Sequence, residues 1–144
     1  MIKQMRQRLS AEKLDVALVQ FKQMDALDWI PPSEKFDLVV TNFFLDCFRP
    51  GQLQKLVPLL TESATAEAVW LLVDFRVQES GWRRWHAKII LATLYAFFKL
   101  TTALTANRPT PPDKFLTNDG FELVDRRLAS FGFAHSDFWR RKIS

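Results

Sequence analysis

The chain has 144 residues, enough for one core and one domain spanning 1–144. Hydrophobic residues make up 48% and charged residues 25%, which excludes a disordered chain. Lys and Arg number 20 against 16 Asp and Glu; the excess is mild and spread along the chain, so no nucleic-acid partner is expected.

Cys47 is the single cysteine, which excludes an internal disulfide. Residues Met1 to Ser10 are basic and polar and lack the apolar stretch of a signal peptide. Both features point to the cytoplasm. The longest apolar run, Ile89 to Phe98, lies between Lys88 and Lys99. It falls well short of the about twenty residues that a membrane-spanning helix needs, so no integral membrane segment is expected. The two His and one Cys show no ligand spacing, and no metal is expected.

Met1 to about Lys13 reads as the tail of a helix, with Ile2, Met5 and Leu9 on one face. The apolar run Val16 to Phe21 is short enough for a buried strand. Asp25, Asp28, Pro31 and Pro32 then mark a loop. Phe36 to Phe44 is the strongest strand signal of the first half. Its nearly continuous, β-branched run suits a parallel strand covered on both faces. Pro50 and Gly51 open a helix carrying Leu53, Leu56, Val57 and Leu60, which Pro58 should kink or end early.

Ala68 to Phe75 reads as a second buried strand. A long helix is expected from about Gly81 to Leu104, apolar nearly all round, until Arg108 to Pro112 breaks the chain. A short helix over Asp113 to Asn118 leads to Gly120. Two strands follow, Phe121 to Leu128 and Phe133 to Arg141, with Gly132 between them, so an antiparallel hairpin is expected. Alternating helices and buried strands predict an α/β fold: a mostly parallel sheet with a C-terminal antiparallel hairpin and helices on both faces.

Several of these stretches resemble one family. Val16 to Ala26, with Asp25 after the apolar run, is similar to the third strand and adenine-contacting motif of class I S-adenosylmethionine-dependent methyltransferases. Phe36-Asp-Leu-Val-Val-Thr-Asn-Phe-Phe44 resembles the fourth strand, where FDLVV is characteristic. Asn42 to Phe48, Tyr95 to Thr102 and Gly120-Phe121 fit a bacterial subgroup of that family. The likeness covers nearly the whole chain.

The resemblance implies a Rossmann-like methyltransferase sheet and S-adenosyl-L-methionine as cofactor, with a small, apolar or aromatic molecule as acceptor. It implies that Asp25 accepts from the adenine amino group and that the backbone of Ala26 meets the ring. Thr41, Asn42 and Phe43 would lie beside the methionine moiety, and Trp82, Trp85, His86 and Tyr95 would line the acceptor pocket. Each has a plainer alternative. Asp25 can cap a short turn near Ala26, Asn42 can simply end a strand, and the aromatic residues can be core. Asp46 and Cys47 read as structural, and His135 as solvated.

One departure is large. The family's strand, Gly-x-Gly loop and helix are missing: Gly51, Gly81, Gly120 and Gly132 are far apart in sequence. A chain without that loop is expected to be truncated and inactive by itself. The turn before Ala68 also lacks the family's usual glycine and reads Ala-Thr-Ala-Glu. In the family's sheet order, 3-2-1-4-5-7-6, two absent strands would separate Val16–Phe21 from Leu38–Phe43. The two apolar stretches are therefore expected to pair directly. A non-catalytic α/β remnant, associating with another chain through an exposed sheet edge, is the alternative reading.

Overall fold

The computed structural model describes residues 2–13, 15–33, 35–75, 110–129 and 134–142. Four strands form one sheet: β1 (Phe36–Asn42), β2 (Ala64–Phe75), β3 (Phe121–Ala129) and β4 (Ala134–Arg141). Among the described residues three α-helices accompany them, α1 (Ile2–Ala11), α2 (Pro50–Glu62) and α3 (Asp113–Asn118). The strand order is β1-β2-β4-β3. β1 and β2 are parallel, and β4 runs against both of its neighbours. Three of the four strands thus point one way, and the β3–β4 pair is antiparallel as its sequence indicates.

Alternation along β2 builds the core. Ala68, Trp70, Leu72 and Asp74 point inward, while Leu71 between them is exposed. The register carries this parity to both neighbours. Trp70 lies beside Val39 on β1 and Trp139 on β4, and all three are buried. Leu53, Leu56 and Val57 of α2 and Leu116 of α3 close over this face, together with Leu45 and Phe121. The Phe121 ring meets Trp70 edge-on, with centroids 5.4 Å apart.

The other face carries Leu38, Val40 and Leu71 in the open; Leu38 and Val40 are 52% and 51% exposed. The apolar run of β1 predicts a strand covered on both faces, whereas among the described residues only the Val39 and Thr41 side is covered. The described helices α2 and α3 both serve the Trp70 face.

α2 starts at Pro50, which needs no N–H at the first helical position. The Gln52 side-chain oxygen accepts from Arg49 N at 3.0 Å, half of a capping box. Pro58 does not end the helix, which continues to Glu62. It removes the donor that Gln54's carbonyl would use, but both residues sit on the exposed side, where water can replace it. At the far end Arg141 of β4 donates from Nη1 to the carbonyls of Thr61, Ala64 and Thr65 at 3.2, 2.7 and 3.3 Å. A cation at a helix C-terminus also meets the negative end of its dipole.

Three expectations are corrected. Val16–Phe21 is not a strand: Val16–Leu18 form a single 3₁₀ turn, and Leu18 is 83% exposed. Nor does this stretch join β1, which among the described residues pairs only with β2. A strand persists only when a ladder takes up its backbone groups, and Asp15 offers a local substitute by accepting from Ala17 N at 2.9 Å. Third, Ala64-Thr-Ala-Glu67 is no turn. It is the first third of β2, tied down where Thr65 Oγ1 donates to Asp37 at 2.9 Å. The helix expected from Gly81 to Leu104 lies outside the described residues. Among those described, no helix is long and apolar enough to cross a membrane.

The inward Trp70 indole donates from Nε1 to Thr41 Oγ1 at 2.9 Å, and both residues are buried. Thr41→Val should strand that N–H and cost about 1–3 kcal/mol in urea unfolding, while Thr41→Ser should stay close to the parent.

Candidate functional site

In open α/β sheets ligands bind beyond the carboxyl ends of the parallel strands. Here that place is the turn after β1 and the end of β2. The ladder runs one residue past β1, with Phe43 N donating to Val73 O at 2.6 Å. Phe43 then takes a φ of +50°, the left-handed region that a bulky side chain rarely enters. Its ring, 47% exposed, rests on Phe75 with centroids 4.7 Å apart. Leu45 and Asp46 plunge into the core immediately afterwards, and Phe44 packs edge-on against Phe48. The turn therefore has a buried foot and an outward lip made of Asn42 and Phe43.

Asp74 forms the floor beneath that turn. Its Oδ1 accepts from Phe44 N at 3.1 Å. Burial, then the neighbouring Asp46, push its carboxyl up to about 8. Cys47 lies beside it, half-buried. Burial and Asp46 push its thiol up to about 12, so it is not a nucleophile at neutral pH.

The candidate residues fare differently. Thr41, Asn42 and Phe43 come together at the end of β1, but the Thr41 hydroxyl points into the core to Trp70. What it can offer a ligand is backbone. Asn42 is exposed. Asp25 caps a 3₁₀ turn, Ala26–Asp28, by accepting from Leu27 N at 2.9 Å. That turn packs against α2 through Ala26 and Leu27. Trp82, Trp85, His86 and Tyr95 lie outside the described residues.

Sequence reasoning missed one buried polar network. His135 was expected to be solvated, yet it is buried. β4 alternates, so the parity that turns Trp139 inward also turns Asp137 and His135 inward. Asp137 repays this by pairing. Arg126 of β3 reaches it twice, from Nε at 2.8 Å and Nη2 at 2.6 Å, and the same Nη2 reaches Asp113 at 2.6 Å. His135 Nδ1 lies 3.0 Å from Asp137 Oδ1, the oxygen that Arg126 Nε also reaches. Burial alone would raise the Asp137 carboxyl, but hydrogen bonds from Arg126 and His135 hold it at about 2. The hydrogen bond to Asp137 raises the Arg126 guanidinium in turn. The sequence signal was available: a cation at position 126 on one strand opposite an anion at 137 on the next.

No protein-family model matches the chain, and no curated protein matches it in sequence. Solved structures do match its fold. The mitomycin 7-O-methyltransferase MmcR aligns over 95% of this chain and 38% of its own, at 12% identity and a TM-score of 0.66. A SAM-dependent methyltransferase from Methanosarcina mazei aligns over 96% of this chain and 77% of its own, at 16% identity and a TM-score of 0.59. An O-methyltransferase family protein from Burkholderia thailandensis aligns over 95% and 40%, at 15% identity and a TM-score of 0.62. The chain thus has the Rossmann-like fold of these methyltransferases, and spans well under half the length of two of the three. The order β1-β2-β4-β3 matches the 4-5-7-6 part of the order 3-2-1-4-5-7-6 that the resemblance implies.

Asp137 ionises more readily folded than unfolded, so its pairing stabilises the fold above about pH 4 and that contribution fades as pH falls toward 2. Asp137→Ala should remove this acid-side dependence and cost about 3 kcal/mol near neutrality, the low end for a broken buried pair because Arg126 reaches solvent and keeps Asp113. Urea unfolding of both forms at a series of acid pH values checks it.

Proposed function

We propose that residues 1–144 are part of an S-adenosylmethionine-dependent methyltransferase domain acting on a small, apolar or aromatic acceptor. The observation that carries this is the half-sheet 4-5-7-6 with a strained, outward-facing turn at the carboxyl end of β1. Support comes from neighbours that are named methyltransferases, including one that acts on mitomycin by its printed name.

S-adenosyl-L-methionine, when bound, supplies an electrophilic methyl group. The protein's share of such a displacement is proximity and in-line alignment, which requires no protein nucleophile. The residues present fit one wall of such a site. Asn42 and the Phe43 ring are exposed where the methionine moiety would lie, and the backbone at Thr41 and Ala26 is the further contact. Asp25 would accept from the adenine amino group through the oxygen not used by Leu27. Trp82, Trp85, His86 and Tyr95 are the proposed acceptor lining. The opposite wall, a Gly-x-Gly strand–loop–helix, is not among these 144 residues. The chain alone is accordingly read as inactive, and its one cysteine, without a disulfide partner, suits the reducing cytoplasm.

Calorimetric titration with S-adenosylmethionine should show no binding tighter than about 1 mM to this chain. A form extended at its N-terminus by a Gly-x-Gly unit should bind the cofactor and methylate an aromatic acceptor. Micromolar binding by the short chain would refute the need for that loop, and an extended form that never binds would sink the methyltransferase reading itself.

A second reading is favoured by one observation: the open face of Leu38, Val40 and Leu71 beside a β1 edge that pairs with no other strand among the described residues. Such a surface suits a non-catalytic remnant that adds its edge to another chain. Sedimentation velocity should then show association that rises with concentration and that Val40→Lys suppresses. Monomeric behaviour throughout would dispose of this reading.

A further inference from the structure

Asp74 is a buried carboxyl that the sheet only partly satisfies. It is 1% exposed, it is next to last on the central strand, and among the described residues its Oδ2 is buried without a hydrogen-bond partner. Among the described residues the titratable groups around it are Asp46 and Cys47 on the turn after β1, and His135 and Asp137 on β4. His135 stands directly across the ladder, and Arg126 of β3 is committed to Asp137. A sheet with no task at this end would place Val or Leu here, as β2 does at Leu72.

What the carboxyl does touch is backbone. The N–H groups of Phe44 and Asp46 face it. These two residues bracket the descent of the chain into the core, just after Phe43 is forced to a positive φ. Backbone strain of about 1–3 kcal/mol persists only where its surroundings over-determine it. Here three ties do so: the ladder bond to Val73, the ring contact with Phe75 and the carboxyl of Asp74.

We propose that Asp74 is a positioning residue, whose side chain fixes the backbone of the 43–47 turn and so sets Asn42 and Phe43 outward toward a bound ligand. The tie to the turn stands on the geometry alone; the ligand in question rests on the methyltransferase reading. The carboxyl does this as a neutral group. Burial and the nearby Asp46 push it up to about 8, which keeps it mostly protonated at neutral pH. Its pKa is raised in the folded chain, so its contribution to stability is complete below about pH 4 and is lost as pH rises to about 8, with no further change above that.

Asp74→Asn keeps an acceptor oxygen and stays neutral at every pH; Asp74→Ala removes the acceptor. In the 144-residue chain, hydrogen exchange at the Phe44 and Asp46 amides should quicken by about tenfold or more in Asp74→Ala, with α2 and β4 unchanged. Asp74→Asn should keep the slow exchange and lose the decline in stability between pH 4 and 8. Exchange that stays slow in Asp74→Ala, or that quickens evenly over the whole chain, overturns the proposal. Should Asp74→Ala not fold, the pH profile of Asp74→Asn decides, and a profile like the parent's overturns it.

The ligand part is tested in the N-terminally extended form with S-adenosylmethionine. Weakening of about tenfold in Asp74→Ala, rescued in Asp74→Asn, supports it. Equal affinity in all three forms overturns it. If the extended parent binds nothing, the methyltransferase reading fails while the exchange result for Asp74 stands.

Discussion

A strand buried on one face cannot slip by one residue without turning itself inside out, and β2 imposes this constraint on the whole sheet. Its inward set, Ala68, Trp70, Leu72 and Asp74, is matched by register to Val39 and Thr41 on one side and to His135, Asp137 and Trp139 on the other. A slip would drive Leu71 and Val73 inward and push the Trp70 indole and a buried carboxyl outward. The Trp70–Thr41 bond and the Asp137–Arg126 pair each lock one neighbour to this parity. The apolar seam and the polar end of the core are consequences of one choice of register.

The polar end is where the sheet departs from simple packing. Asp46, Asp74, His135 and Asp137 are all buried near the carboxyl ends of the parallel strands. The two acidic groups on the strands are handled in opposite ways. Asp137 is ionised and paid for by a guanidinium, whereas Asp74 keeps its proton and accepts from backbone. Their effects on stability oppose each other along the pH axis: Asp137 favours the fold above about pH 4, and Asp74 favours it most below that. Perturbed titratable groups gathered at the carboxyl ends of parallel strands mark a candidate site.

Much of this architecture was legible in the sequence because hydrophobic pattern and turn chemistry agree there. Phe36–Asn42, the helix from Pro50, and the hairpin strands fall close to where alternation and punctuation place them. α3 occupies Asp113–Asn118, the span its sequence indicated. Gly120 takes a φ of +86° to turn into β3. Val16–Phe21 was not legible, since an apolar run states what a segment could bury and not whether a partner strand exists. His135 was misread because residue type was weighed above position: two steps of alternation back from Trp139, through Asp137, put it inside. The site was legible only in outline. Thr41 and Asn42 adjoin in sequence yet face opposite ways, and Asp74 gave no sign of its reach to the turn after β1.

The placement of β4 between β2 and β3 also governs the sequence of assembly. β1, α2 and β2 are consecutive and can close on one another through short connections. Among the described residues β3 has no ladder except to β4, so it cannot enter the sheet on its own account. It must wait for the strand that follows it, and the pair must then dock against the free side of β2. Because that docking also delivers Arg141 to the end of α2, across a separation of 77 residues to Ala64, the early unit is finished by the late one. Long-range closure of this kind carries a larger loop-closure entropy and slows folding relative to a sheet of purely local pairings.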